Sequence, residues 1–88
     1  MKNINEALES VIKIEKKYYQ TRDIKQFTID LIEYFRDELE SCILGESELS
    51  EESTLSSLSY KASTALEICD DQLTDFYVIQ ELYDAVND

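Results

Sequence analysis

Apolar residues recur at steps of three and four along nearly the whole chain, the spacing of one face of an α-helix. Ile4, Leu8, Val11, Ile12 and Tyr18/Tyr19 predict a first helix over about 4–20, with Glu15 as one charged intrusion. Asn3 can cap it, and Glu6 three residues later completes a capping-box pattern. The β-branched Val11, Ile12 and Ile14 weaken it slightly. Phe27, Leu31, Tyr34/Phe35, Leu39 and Cys42/Ile43 form a continuous stripe and predict a second helix over about 24–44. Asp23 is its expected cap, with Gln26 at the third helical position, and Gly45 stands where a left-handed closing residue belongs.

Residues 45–50 read as a short acidic loop. Ser50 precedes Glu51 and Glu52, which place negative charge on the first turn of a third helix, where the helix dipole favours it. Leu55, Leu58, Ala62, Ala65/Leu66 and Cys69 carry that helix to about residue 69. Its polar face is Ser53, Ser56, Ser57, Ser59 and Ser63; serine is a mediocre helix former, so packing must hold this segment. Asp70-Asp71-Gln72 breaks the pattern. Phe76, Ile79, Leu82/Tyr83 and Val86 then predict a fourth helix over about 73–86, capped by Asp71 or Thr74. The expected fold is all-α: a single antiparallel four-helix bundle forming one domain over residues 1–88. The absence of proline and a single glycine agree with it.

Charge changes this picture more than composition does. Residues 1–36 carry seven bases (Lys2, Lys13, Lys16, Lys17, Arg22, Lys25, Arg36) and six acids, whereas residues 37–88 carry fourteen acids and one base, Lys61. The net charge of −12 exceeds the magnitude of roughly 2–8 that suffices for solubility of a small domain. A basic partner is expected, and nucleic acid and anionic membranes are not.

Several chemistries are disfavoured. The chain has no histidine, which removes histidine-based nucleophilic dyads and most zinc sites. One glycine rules out a glycine-rich phosphate loop. Cys42 and Cys69 lack metal-ligand spacing, sit among apolar residues and read as buried free thiols, which suits a reducing compartment. The first residues contain no signal-peptide pattern and no stretch approaches the ~20 apolar residues of a membrane span, so a cytoplasmic protein is expected. Glu33 with Asp37, and Asp71 with Asp75, are spaced four apart as acid–base or cation-binding pairs are. Without a histidine or a glycine-turned calcium loop they do not amount to a catalytic or metal site, and no enzyme activity and no cofactor are expected.

The candidate partner-binding residues are Glu48, Glu51 and Glu52 at one helix junction, and Glu67, Asp70, Asp71, Asp75 and Tyr77 at the next. In an antiparallel bundle these junctions lie at opposite ends, so the acids edge the third helix. Of the six tyrosines, Tyr60 and Tyr77 fall off the main stripes and are expected at the surface, where an aromatic ring with a hydroxyl suits a protein interface.

The stretch Tyr19-Gln-Thr-Arg-Asp-Ile-Lys-Gln-Phe27 resembles the passage into the second helix of the immunity proteins that neutralise colicin D-type tRNA-cleaving toxins. Leu58 to Asp75, an apolar helix ending in an acidic turn, resembles that family's acidic linker before its last helix. The resemblance implies an antitoxin that binds a basic nuclease domain one-to-one, with Glu67, Asp70, Asp71 and Asp75 in the toxin's tRNA-phosphate sites. Two other functions suit the sequence. One is a phage-type acidic DNA mimic that inhibits a host defence enzyme. The other is a small helical adaptor or secretion chaperone, which would work through an exposed apolar groove.

Overall fold

The computed structural model describes residues 3–20 and 23–87; Met1, Lys2, Thr21, Arg22 and Asp88 lie outside the described residues, and with them part of the Tyr19–Phe27 passage and two of the bases. Four helices follow in order: α1 (Ile4–Tyr18), α2 (Gln26–Ile43), α3 (Glu51–Ile68) and α4 (Thr74–Val86). The described residues contain no strand.

Local chemistry sets most of the helix ends. Asn3 Oδ1 accepts the Glu6 N–H at 2.8 Å, and its amide donates to Glu6 Oε1 at 3.0 Å, so the expected box closes side chain to side chain. Ser50 caps α3 by accepting the Ser53 N–H at 3.1 Å. After α2, Gly45 adopts φ +75°. Its N–H donates to Cys42 O at 3.2 Å and the Glu46 N–H to Ser41 O at 2.9 Å, the paired bonds of a Schellman closure.

Two expected caps are absent. Asp23 is exposed, and Ile24 turns into the core, so α2 begins only at Gln26, with Lys25 at the cap position and no capping side chain of its own. Neither Asp71 nor Thr74 caps α4. Leu73 holds that position, because Asp70 shapes the turn: its carbonyl accepts the Leu73 N–H at 3.1 Å and its Oδ1 accepts the Gln72 N–H at 2.9 Å.

The core is one cluster drawn from all four helices, centred on Val11, Phe35, Leu39, Leu58, Ile79 and Leu82. α1 packs against α2 and α4, α3 packs against α4, and α2 touches α3 only lightly. That unequal packing explains where the α2 stripe departs from expectation. α2 turns Thr28, Leu31, Ile32, Phe35 and Leu39 inward, and leaves Phe27, Tyr34 and Ile43 exposed. Along the thin α2–α3 seam the Lys61 ammonium sits 4.5 Å from the Tyr34 ring centroid. Tyr19, expected on the α1 stripe, is also exposed. Glu15, the charged intrusion, lies at the α1–α2 boundary and pairs with Arg36.

Candidate functional site

An antiparallel bundle gathers alternate helix ends. The starts of α1 and α3 meet the ends of α2 and α4, and Asn3, Glu51, Val86 and Asn87 accordingly line one surface. The segments 3–10, 38–52 and 83–87 that compose this end carry Glu6, Glu9, Glu38, Glu40, Glu46, Glu48, Glu51, Glu52 and Asp84 and, among the described residues, no lysine or arginine. All nine except Glu38 are exposed. Glu6, Glu51 and Glu52 occupy first turns of helices, where the dipole offsets part of their repulsion.

Within this acidic rim the structure exposes apolar side chains: Ile43 at 41%, Leu44 at 70% and Leu49 at 48%. Ile43 was expected in the core. The loop that presents them is pinned. The Schellman bonds fix its start, the Ser47 N–H reaches Ser41 O at 3.3 Å, and Ser47 Oγ accepts the Leu49 N–H at 3.1 Å. Apolar residues at the centre and charge at the rim are the composition of a protein interface.

The opposite end is mixed in sign. Glu67, Asp70 and Asp71 are exposed there, and Tyr77 is 61% exposed, as expected of it. They share that end with Lys16, Lys17 and Lys25. Asp70 Oδ1 is engaged by Gln72 N–H, and Asp71 Oδ1 accepts from the Gln72 side chain at 3.1 Å. The field at this end is therefore weaker than a count along the chain suggests.

Asp75 is a correction. It was expected to present its carboxylate to a partner, but it is fully buried. Its Oδ2 accepts the Lys25 N–H at 2.8 Å and the Thr28 hydroxyl at 2.5 Å. The physical reason is the uncapped start of α2, whose amides draw the carboxylate inward from α4. The Asp71–Asp75 pair is dissolved for the same reason, since Asp71 lies in the turn and Asp75 faces the interior. In the other pair, Asp37 lies 3.6 Å from Arg36, which also binds Glu15 and stands 3.9 Å from Glu40. The bond to Glu15 raises the Arg36 pKa further.

On the α1–α4 boundary the Tyr18 hydroxyl donates to Glu81 Oε2 at 2.5 Å, and Lys17 Nζ stands 3.4 Å from Glu81 Oε1. The Tyr18 phenol is pushed up by that bond and then by burial; Lys17 is raised by Tyr18 and then by Glu81. The cysteines are free and half-buried rather than fully buried, and burial pushes the Cys69 thiol up, with Asp75 and Asp70 adding to the effect.

The eight candidate residues thus divide into Glu48, Glu51 and Glu52 at the acidic end, Glu67, Asp70, Asp71 and Tyr77 at the mixed end, and Asp75 in the interior. Sequence reasoning missed Glu6, Glu9, Glu38, Glu40, Asp84 and the exposed Ile43, Leu44 and Leu49. Tallying charge by bundle end instead of by chain half would have found the acids.

Among the described residues no group of three or more carboxylates and thiols could hold a metal ion, and no helix is long and apolar enough to cross a membrane. Comparison of the chain with protein-family models, curated proteins and solved structures finds no match.

Proposed function

We propose that this protein is a non-enzymatic inhibitor of the immunity or antitoxin type, which binds a basic nuclease toxin domain one-to-one and blocks its nucleic-acid-binding surface. The observation that carries the reading is the acidic end, where acids of three chain segments stand with the exposed Ile43, Leu44 and Leu49 and, among the described residues of those segments, no lysine or arginine. A nuclease grips a phosphate backbone with clustered lysine and arginine. A rigid surface of carboxylates satisfies the same cluster and excludes the substrate. The apolar centre supplies burial that a nucleic acid does not offer, and so separates a protein inhibitor from a mere polyanion. Opposed fields raise the association rate by one to three orders of magnitude at low salt. Fast capture suits a protein that must stop a toxin before it cuts.

The reading places most weight on Glu48, Glu51 and Glu52 with Glu46 of the same junction, and adds Glu6 and Asp84, which share that end. Glu67, Asp70 and Asp71 become a secondary surface, since lysines stand near them. An inhibitor of a host defence enzyme that binds DNA would need the same surface; a toxin reading frame beside the gene favours the first partner. The adaptor or chaperone reading draws on a different observation, the thin α2–α3 seam with Phe27, Tyr34 and Ile68 exposed.

The test is co-purification from the native host, identification of the partner by mass spectrometry, and assay of its nuclease activity bound and free. A one-to-one complex with a basic nuclease, inactive when bound and active when released, is expected. A partner without a basic surface, or a nuclease fully active in the complex, contradicts the reading.

A further inference from the structure

An open groove of about 730 Å³ lies between α3, the last turn of α4 and the start of α1. Leu55, Tyr83 and Val86 give it an apolar surface, Ser56, Ser59 and Ser63 give it hydroxyls, and Glu51 and Glu52 stand at its edge. Among the described residues no lysine or arginine lines it. We propose that this groove seats an arginine side chain of the basic partner. The proposal rests on the reading of the chain as a binder of a basic protein, and deepens it by naming the anchor.

Two separate sources of negative potential converge there. The first is the pair of carboxylates, Glu51 and Glu52, both exposed. The second is the end of α4. A helix leaves its last carbonyls without intrahelical partners and carries partial negative charge at that terminus. In α4 no basic residue stands in the last turn to answer it. The Tyr83 carbonyl accepts the Asn87 N–H at 2.8 Å, and Ser59 Oγ donates to Asn87 Oδ1 at 3.1 Å, which ties the end of α4 to α3. The amides at the start of α3 offset part of the carboxylate field, and of these the Ser53 N–H is satisfied locally by Ser50.

The lining chooses among occupants. An anion is repelled by Glu51 and Glu52. A purely apolar helix would cover the Ser56 and Ser63 hydroxyls without offering them partners, which is unfavourable. Lysine matches the charge but offers one compact donor group. A guanidinium presents five N–H donors in a plane to scattered carboxylate, hydroxyl and carbonyl acceptors, and stacks on aromatic rings. Tyr60, 76% exposed, and Tyr83 supply rings at the groove, and Leu55 and Val86 suit the aliphatic stem. The volume accommodates the side chain together with the turn of chain that carries it.

The experiment is a nuclear magnetic resonance titration of the full chain with acetyl-Gly-Arg-Gly-amide, with its citrulline counterpart as the uncharged control, and with hexa-arginine as a general cation. Saturable shifts at Leu55, Ser59, Ser63, Tyr83 and Val86 are expected with the arginine peptide, at an affinity about tenfold above the citrulline peptide. Ser56→Trp, a surface change that fills the groove, should abolish them while leaving hexa-arginine binding at the 46–50 loop. Equal shifts with both small peptides overturn the cationic occupant. Shifts confined to residues 46–50 overturn the groove but leave the acidic end as a docking surface. Absence of any shift with hexa-arginine overturns the groove and the broader reading together.

Discussion

The Thr28 hydroxyl donates to Asp75 Oδ2 at 2.5 Å, joining the first turns of α2 and α4 across 47 positions of chain. The same oxygen accepts the Lys25 N–H at 2.8 Å, so Asp75 caps α2 from another helix. Its Oδ1 is buried and has no hydrogen-bond partner among the described residues. Removing the carboxylate strands a buried hydroxyl and a helix-start amide. Asp75→Ala should lower the unfolding free energy by about 2–3 kcal/mol and Thr28→Val by about 1–2 kcal/mol, whereas Asp23→Ala should stay within about 0.5 kcal/mol. Urea unfolding measures all three. An Asp75→Ala protein as stable as the parent would show that the cap contributes nothing.

Tyr18 and Glu81 make the fold sensitive to alkaline pH. The bond to Glu81, and then burial, raise the Tyr18 phenol, while Lys17 partly opposes them. A raised folded pKa means that the interaction stabilises fully below the ordinary phenol value of about 10, and that this contribution disappears as pH rises through the folded value. Unfolding free energy measured from about pH 8 upward should fall more steeply in the parent than in Tyr18→Phe. Parallel profiles would exclude the bond as the cause.

Gly45 closes α2 at φ +75°, and a Cβ built there meets nothing within 4 Å. Substitution therefore carries only the backbone penalty of the left-handed region. Gly45→Ala should destabilise by about 1–2 kcal/mol and Gly45→Asn by less. Equal melting of all three proteins would mean that the closure opens without cost.

Cys69 should be a sluggish thiol. Burial raises it, Asp75 and Asp70 add their negative charge, and Lys25 partly opposes. Alkylation by iodoacetamide at about pH 8 should be slower than that of an unstructured cysteine peptide, and Asp70→Asn should speed it. A rate equal to the peptide's would contradict this placement.

The helices were legible because their signals are local. Apolar spacing placed all four, and Asn3, Ser50 and Gly45 act where short-range chemistry puts them. Asp75 was not legible, because its partners Lys25 and Thr28 lie on another helix and an aspartate beside a turn reads as a surface acid. Phe27, Tyr34 and Ile43 fit the α2 stripe by period. Only the light α2–α3 contact, a property of the assembled bundle, leaves them exposed. The split of charge between chain halves was real in sequence, but folding redistributes it. Glu6 and Glu9 join the acidic end from the near-neutral half, while the 67–71 acids fall beside Lys16, Lys17 and Lys25.

The central claim is electrostatic capture of a basic nuclease by the end that carries Glu48, Glu51 and Glu52. Its most direct measurement is the dissociation constant for the isolated partner across a salt series, with the parent and two charge-reversed forms. Affinity should fall steadily as salt rises. Glu48→Lys/Glu51→Lys/Glu52→Lys should weaken binding by about a hundredfold at low salt, and Asp70→Lys/Asp71→Lys by less than about tenfold. Affinity that does not change with salt, or equal losses at the two ends, would contradict the claim.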